Sequence, residues 1–350
     1  MSEQFTLRPM TRDDGPAFAQ LTLAAPDTGR IHMTYHYRGD PYESLSVRQG
    51  DFLGVVAERP GHDGLAGACL LRFRRAQIEG ELRPSALLNT LAVHPDCRRQ
   101  GIASALVEWC VQAGRKRFGD EGVIWATIQQ GNVGSVRTVT KFLPQVISKR
   151  ILNVPMTMRD NPPGPVSDWR VHEAAGEELA RVADHLNRFY RDYNLCEPQT
   201  AETLTRWLAP TVQGERFRHY LILSDAAGET LAGAGVAENY RLGELHVEDL
   251  SFGLRALNAI LRLVPADGVS RDIFVSKFWH APGHIKALRY LLDHIRWQWR
   301  DQATMTLASV DAADPLRKAF PLRLWTPAPR LSLVAAGPVS LSSERLIVYE

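Results

Sequence analysis

The residues best placed to do chemistry lie between Leu87 and Leu106. An apolar run, Leu87 to Val93, reads as a strand and is stopped by Pro95, which cannot continue a ladder. Beyond it Ile102, Ala105, Leu106, Trp109, Cys110 and Ala113 recur at helical spacing and form one apolar stripe. Arg98, Arg99, Gln100 and Gly101 fill the turn between strand and helix. The first amides of a helix have no intrahelical acceptor, and that end carries the positive pole of the dipole. Glycine allows close backbone approach, and small Ala103 and Ser104 leave the first turn open. With two guanidiniums in front, such a turn is a cradle for a pyrophosphate. Neither GxGxxG nor a Gly-Lys-Ser/Thr run is present, which sets aside the dinucleotide fold and the P-loop.

The segment Arg98-Arg99-Gln100-Gly101-Ile102-Ala103, after a strand ending Val93-His94-Pro95, resembles the acyl-CoA motif of the GNAT N-acetyltransferase superfamily, Arg/Gln-x-x-Gly-x-Gly/Ala. The strand Val123 to Ile128, followed by Asn132-Val133-Gly134-Ser135 at a helix start, extends the resemblance, which covers most of residues 5–158 in element order. It implies a mixed, centrally splayed sheet flanked by helices. In that layout the pantetheine of acetyl-CoA lies in the splay, bonded to backbone near Leu91, Ala92 and Val93. The amides of Gln100 to Ser104 hold the pyrophosphate, and Asn132 and Ser135 touch the cofactor arm. An amine then attacks the thioester directly in a ternary complex, with a backbone N–H near Leu91 or Ala92 facing the oxyanion.

The family's general acid and base are missing from their usual places. Val139 stands where many members have a tyrosine, and Asn89 and Thr90 where many have a carboxylate. Weak candidates for proton transfer are His36, Glu58 and Asn89. His36 lies in a polar and aromatic stretch, Ile31 to Glu43, expected to be a loop over the acceptor site.

The proline-rich run from Arg159 to Pro165 divides the chain. Residues 1–158 are expected to form a GNAT domain, 159–165 a linker and 166–350 a second domain. The second half repeats the first. Hairpins are expected at Asp51–Ala57 with Leu65–Ala68 and at His219–Ser224 with Leu231–Ala234. An offset of 182 then pairs Val93 with Val275, Gly101 with Gly283, Leu106 with Leu288 and Ala126 with Ala308. The fold class is α/β, two layered GNAT-like domains. In the second copy Pro282 and Ile285 replace Gln100 and Ala103, the arginines are gone, and Asp314 stands for Asn132, so this copy is expected to have lost its acetyl-CoA site. Leu346 to Tyr349 reads as a terminal strand.

Composition excludes more than it assigns. The 350 residues carry 41 Lys and Arg against 39 Asp and Glu, a net charge of +2, so no nucleic-acid partner is indicated. Hydrophobic residues at 45% exclude a disordered chain. No apolar run approaches the about 20 residues of a membrane span, and a cytoplasmic location is expected. Cys69, Cys97, Cys110 and Cys196 form no CxxC and no zinc-spaced set with histidine, so no metal is expected. The reading is therefore an acetyl-CoA-dependent N-acetyltransferase acting on a small-molecule primary amine. Its rival is a non-catalytic acyl-CoA-binding or interaction protein. Neither acyl length nor oligomeric state follows from the sequence.

Overall fold

A computed structural model describes residues 5–25, 27–28, 31–166, 168–250, 258, 264–322, 328–342 and 344–348. The chain divides into two units. One comprises Met1–Lys149, Leu245–Leu254 and Arg330–Ser343, the other Arg150–Glu244, Arg255–Pro329 and Glu344–Glu350. In chain order the first half provides β1 (Thr6–Pro9), α1 (Gly15–Ala24), β2 (Asp27–Thr28), β3 (Ile31–Tyr37), α2 (Pro41–Gln49), β4 (Phe52–Glu58), β5 (Gly67–Ile78), β6 (Glu81–Val93), α3 (Ile102–Phe118), β7 (Val123–Gln129), α4 (Val133–Val139) and β8 (Gln145–Thr157). The second provides β9 (Arg170–Glu173), α5 (Glu178–Phe189), α6 (Ala201–Leu208), β10 (Thr211–Val212), β11 (Glu215–Arg216), β12 (Arg218–Ser224), β13 (Thr230–Ala237), β14 (Gly243–Leu250), β15 (Val269–Ser270), β16 (Asp272–His280), α7 (Ile285–Gln298), β17 (Met305–Asp311) and β18 (Arg330–Ala336).

The sheet of the first unit runs β1-β4-β5-β6-β7-β18. Strand periodicity sorts its residues to two faces. Cys69, Leu71, Phe73, Ala86 and Leu88 pack with Ile102, Leu106 and Cys110 of α3. Ala68, Leu70 and Val56 pack with Phe18 and Leu21 of α1 and Leu45 of α2. Both faces are thus covered by helices, as expected of this layered class. Cys110 is a buried thiol beside Cys69, whose hydrogen bond raises the Cys110 pKa.

The sheet of the second unit runs β8-β17-β16-β13-β12-β9. Leu221, Leu223, Ala234 and Val236 pack with Leu288, Leu291, Leu292 and Ile295 of α7. On the other face Tyr220 and Ile222 meet Leu179, Val182 and Leu186 of α5. The two expected hairpins are present as β4–β5 and β12–β13.

Four expectations change. The units are not consecutive halves meeting at 159–165: the division falls inside β8, after Lys149. β7 takes as its outer neighbour β18, antiparallel from Leu331 against Gln129 to Ala336 against Ile124. β8 pairs with β17, Ile151 against Asp311 to Thr157 against Met305. Each sheet is therefore completed by a strand remote from its other members in sequence. Second, Ile31 to Tyr37 is a strand with β14 as a neighbour, not a loop. Third, the segment near the C-terminus makes a single parallel bridge, Asn194 to Ile347, instead of a strand, and Tyr349 lies outside the described residues.

The fourth concerns the repeat. Gly67 pairs with Val93 at the end of β6, and Ala232 with His280 at the end of β16. The last parallel pairs are Leu88 with Ala126 and Val275 with Ala308. Val93 therefore corresponds to His280 and Leu88 to Val275, five positions from the offset of 182, whereas Gly101 and Gly283 keep that offset. The second copy has lost five residues of the loop: Ala281 and Pro282 alone stand where the first has His94 to Gln100.

Candidate acyl-CoA site

The site is built on a parallel pair that stops early. β6 and β7 pair from Ser85 against Val123 to Leu88 against Ala126 and no further. On its other edge β6 follows β5 through an irregularity: Leu70 faces Asn89 and Ala68 faces Ala92, so β6 holds one residue more than its partner. Thr90 takes φ +50° there and is exposed. Such a bulge re-aims the backbone beyond it. Leu91, Ala92 and Val93 consequently line β6 past the point where β7 leaves it, which is the expected splay.

Pro95 to Cys97 then form a 3-10 turn. Cys97 and Ile102 are 0% and 1% exposed and anchor the loop in the core on either side. The intervening Arg98, Arg99 and Gly101 are exposed. Arg99 at φ +61° and Gly101 at φ +85° curl the chain into the first turn of α3. A Cβ on Gly101 would meet nothing within 4 Å, so glycine answers the backbone angle here and not a lack of space. Gly101 provides no side-chain cap to α3. The amides of Ile102, Ala103 and Ser104 thus begin a 17-residue helix without a side-chain acceptor, and Arg115, Lys116 and Arg117 sit at its negative end. Arg98 Nε donates to the Val93 carbonyl at 3.4 Å, and Gln100 Nε2 to the Asp96 carbonyl at 3.4 Å. The arrangement fits an anionic, extended ligand running from the splay to the helix end.

Asn132 caps α4: its Oδ1 accepts the Ser135 N–H at 3.0 Å. Both residues therefore fix the start of α4, and that start follows the open end of β7. Val139 is 2% exposed and belongs to the core, so no acid faces the site from that position.

The three proton-transfer candidates are not brought together. Glu58 accepts from Arg8 Nη2 at 2.6 Å, and the same guanidinium binds Asp14 at 2.6 Å. That arrangement ties the β1–β4 edge and lowers the Asp14 pKa to about 2, chiefly through the Arg8 hydrogen bond. Asn89 sits at the splay, where its Nδ2 donates to Gln49 Oε1 at 3.2 Å and its Oδ1 accepts from Thr90 at 3.0 Å. His36 lies 3.1 Å from Thr34 Oγ1 and stacks on His246, ring centres 3.8 Å apart. Sequence reasoning missed His246, because only the passage of β14 beside β3 brings it there. Tyr37 is packed near Phe18 and Tyr35, and burial raises its pKa beyond the usual phenol range.

In the second unit the corresponding place is filled. β16 and β17 stop pairing at Val275 and Ala308, and Lys277 takes φ +49°. The carbonyls that follow are engaged: Tyr220 Oη donates to Lys277 O at 2.8 Å and Tyr190 Oη to Phe278 O at 2.5 Å. Tyr193, Asp311, Asp314, Ile347 and Val348 close the space to about 20 Å³, room for one water. Asp314 caps the following 3-10 turn by accepting the Leu316 N–H at 2.8 Å, the counterpart of Asn132, and burial lifts its pKa to about 6.

Comparison with known proteins bears on the fold. Residues 21–143 match the family described as Acetyltransferase (GNAT) family. N-myristoyltransferase of Saccharomyces cerevisiae, solved with bound myristoyl-CoA, superposes with TM-score 0.67 at 12% identity, over 97% of this chain and 85% of its own. A GCN5-related N-acetyltransferase from Sphaerobacter thermophilus gives TM-score 0.59 at 16% identity, over 96% of both chains. No curated protein sequence matches significantly. Residues 21–143 thus resemble a GNAT domain, and the chain as a whole shares the fold of these two solved structures. No helix among the described residues is long and apolar enough to cross a membrane.

Proposed function

We propose that this chain is an N-acyltransferase that transfers an acetyl group from acetyl-CoA to a primary amine of a small molecule. The observation that carries the reading is continuity within the first unit. The open flank of β6 beyond Leu88 leads through the Arg99–Gly101 curl to the uncapped start of α3. Leu91, Ala92 and Val93 would pair with the pantetheine amides. Gln100 to Ser104 would bind the pyrophosphate through backbone amides, with Arg98 and Arg99 adding charge. Asn132 and Ser135 would flank the cofactor arm.

The amine nitrogen attacks the thioester carbonyl and forms the C–N bond, the oxygen charge falls to the N–H of Leu91 or Ala92, and the C–S bond breaks to release CoA thiolate. The amine loses its proton to water. Thiolate is a sufficiently good leaving group to depart without a tyrosine at position 139. The second unit is a partner that binds no CoA, because its equivalent carbonyls and space are already occupied by its own side chains.

The test is calorimetric titration of acetyl-CoA and of longer acyl-CoAs, followed by release of CoA thiol in the presence of an amine panel. One site per chain with amine-dependent release supports the reading. One site without release would make the chain an acyl-CoA-binding protein, as the buried Val139 favours. A preference for a longer acyl chain would replace acetyl.

A further inference from the structure

We propose that His62, His94 and Cys97 form a site for a divalent transition-metal ion of the zinc class, at the entry to the acyl-CoA loop. The three residues are 62, 94 and 97 in sequence and share no zinc spacing, but the fold gathers them. His62 lies in the turn joining β4 to β5, where its N–H donates to Arg59 O at 3.1 Å. His94 and Cys97 flank the 3-10 turn after β6. One ligand atom from each lies within 4.8 Å of the others, and the imidazole centres are 4.5 Å apart.

One further observation points to a ligand. His62 Nε2 is closed off from solvent and has no hydrogen-bond partner, an unusual state for a buried ring nitrogen. Cys97 is fully buried, and Arg59 Nη1 lies 4.0 Å from its Sγ. Zn–N near 2.0 Å and Zn–S near 2.3 Å put tetrahedral ligand atoms roughly 3.3–3.8 Å apart, so closure requires side-chain movement of about 1 Å.

His94 Nδ1 accepts the Asp96 N–H at 3.4 Å, and Asp96 Oδ2 lies 3.7 Å from the same nitrogen. On coordination through Nε2 the ring would shift to the Nδ1–H tautomer, and Nδ1 would then donate to the Asp96 carboxylate. Two imidazoles and one thiolate select zinc-class ions over magnesium or calcium, which take oxygen ligands. Binding releases the thiol proton to solvent. Three protein ligands leave a fourth position for water. Such an ion would tie the β4–β5 turn to the residues immediately before Arg98 and hold the start of the loop in place.

The probe is Co²⁺ added to the chelator-treated full-length chain. A thiolate-to-cobalt charge-transfer band with tetrahedral d–d absorption, saturating at one ion per chain and displaced by Zn²⁺, is the expected result. His62→Ala, on an exposed turn, should weaken Co²⁺ binding by about 100-fold or more. Cys97→Ser should remove the charge-transfer band while the far-ultraviolet circular dichroism stays that of the parent. Absence of the band in the parent chain, or a band unchanged in either variant, overturns the proposal. This readout does not depend on acyl-CoA binding.

Discussion

Thr90 and Lys277 carry the same distortion at the same place in two sheets: φ is +50° at one and +49° at the other, two residues beyond the last parallel pair of each. One bulge is exposed beside an open strand edge. The other is buried, with the carbonyls of Lys277 and Phe278 bonded by tyrosines. The duplicated fold therefore keeps its splay in both copies, and what differs is whether side chains fill it.

Arg98→Ala combined with Arg99→Ala should weaken acetyl-CoA binding by about 2–4 kcal/mol, since charge-assisted contacts contribute roughly 1.5–3 kcal/mol each and do not add fully. Because both side chains are exposed in the free protein, the melting temperature should hardly move. Calorimetric titration beside a thermal melt checks both; an unchanged affinity would show that the pyrophosphate lies elsewhere.

Gly101→Ala should lower stability by about 1–2 kcal/mol, the strain of an L-residue in the left-handed region. Gly101→Asn should cost less, since asparagine tolerates that region. Nothing lies within 4 Å of the added carbon, so a crowding explanation would predict the reverse order. Urea unfolding of the two variants decides between them.

Leu106→Ala removes a fully buried side chain from the interface of α3 with β5 and β6. A loss of about 2–5 kcal/mol is expected, because the cavity adds to the lost burial. Its readout is the urea midpoint at constant slope.

Asp314 provides the pH test. Its folded pKa of about 6 stands above the ordinary 3.8, with burial as the first cause. Between those values the folded state binds the proton and the unfolded state does not. Stability therefore falls as pH rises through that window, and the penalty is complete above it. Asp314→Asn keeps an acceptor for the Leu316 N–H and removes the charge. It should stabilise the chain at pH 7.5 by roughly 2–3 kcal/mol, and the gain should vanish at pH 3.5. A gain that is flat from pH 3.5 to 7.5 would assign the effect to packing.

The loop of the first copy was legible because everything that makes it is local. Pro95 ends the strand, Gly101 opens the helix, and Ile102, Leu106 and Cys110 mark the buried face. Pairings across long stretches of chain left no such mark. Ile31 to Tyr37 reads as a loop when its neighbour, β14, lies about two hundred residues away. The fixed offset aligned Gly101 with Gly283 but misaligned the strands before them, since a five-residue loss in the loop shifts the register without altering the apolar pattern. His62 and His94 meet through a hairpin turn that reveals nothing of its direction in sequence.

The order of strands also constrains how the chain is made. When residue 158 has left the ribosome, the outer neighbour of β7 is still unsynthesised, for β18 begins at Arg330. The first unit cannot complete its sheet until residues 330–336 exist, and meanwhile the edge of β7 offers unpaired amides to any passing strand. Folding must wait for a contact just over two hundred residues distant, which makes it slow and cooperative in place of stepwise. A fragment ending in the proline-rich run would keep five of the six strands of this sheet with an open, aggregation-prone β7 edge, and deletion of residues 330–336 would expose the same edge of the first unit.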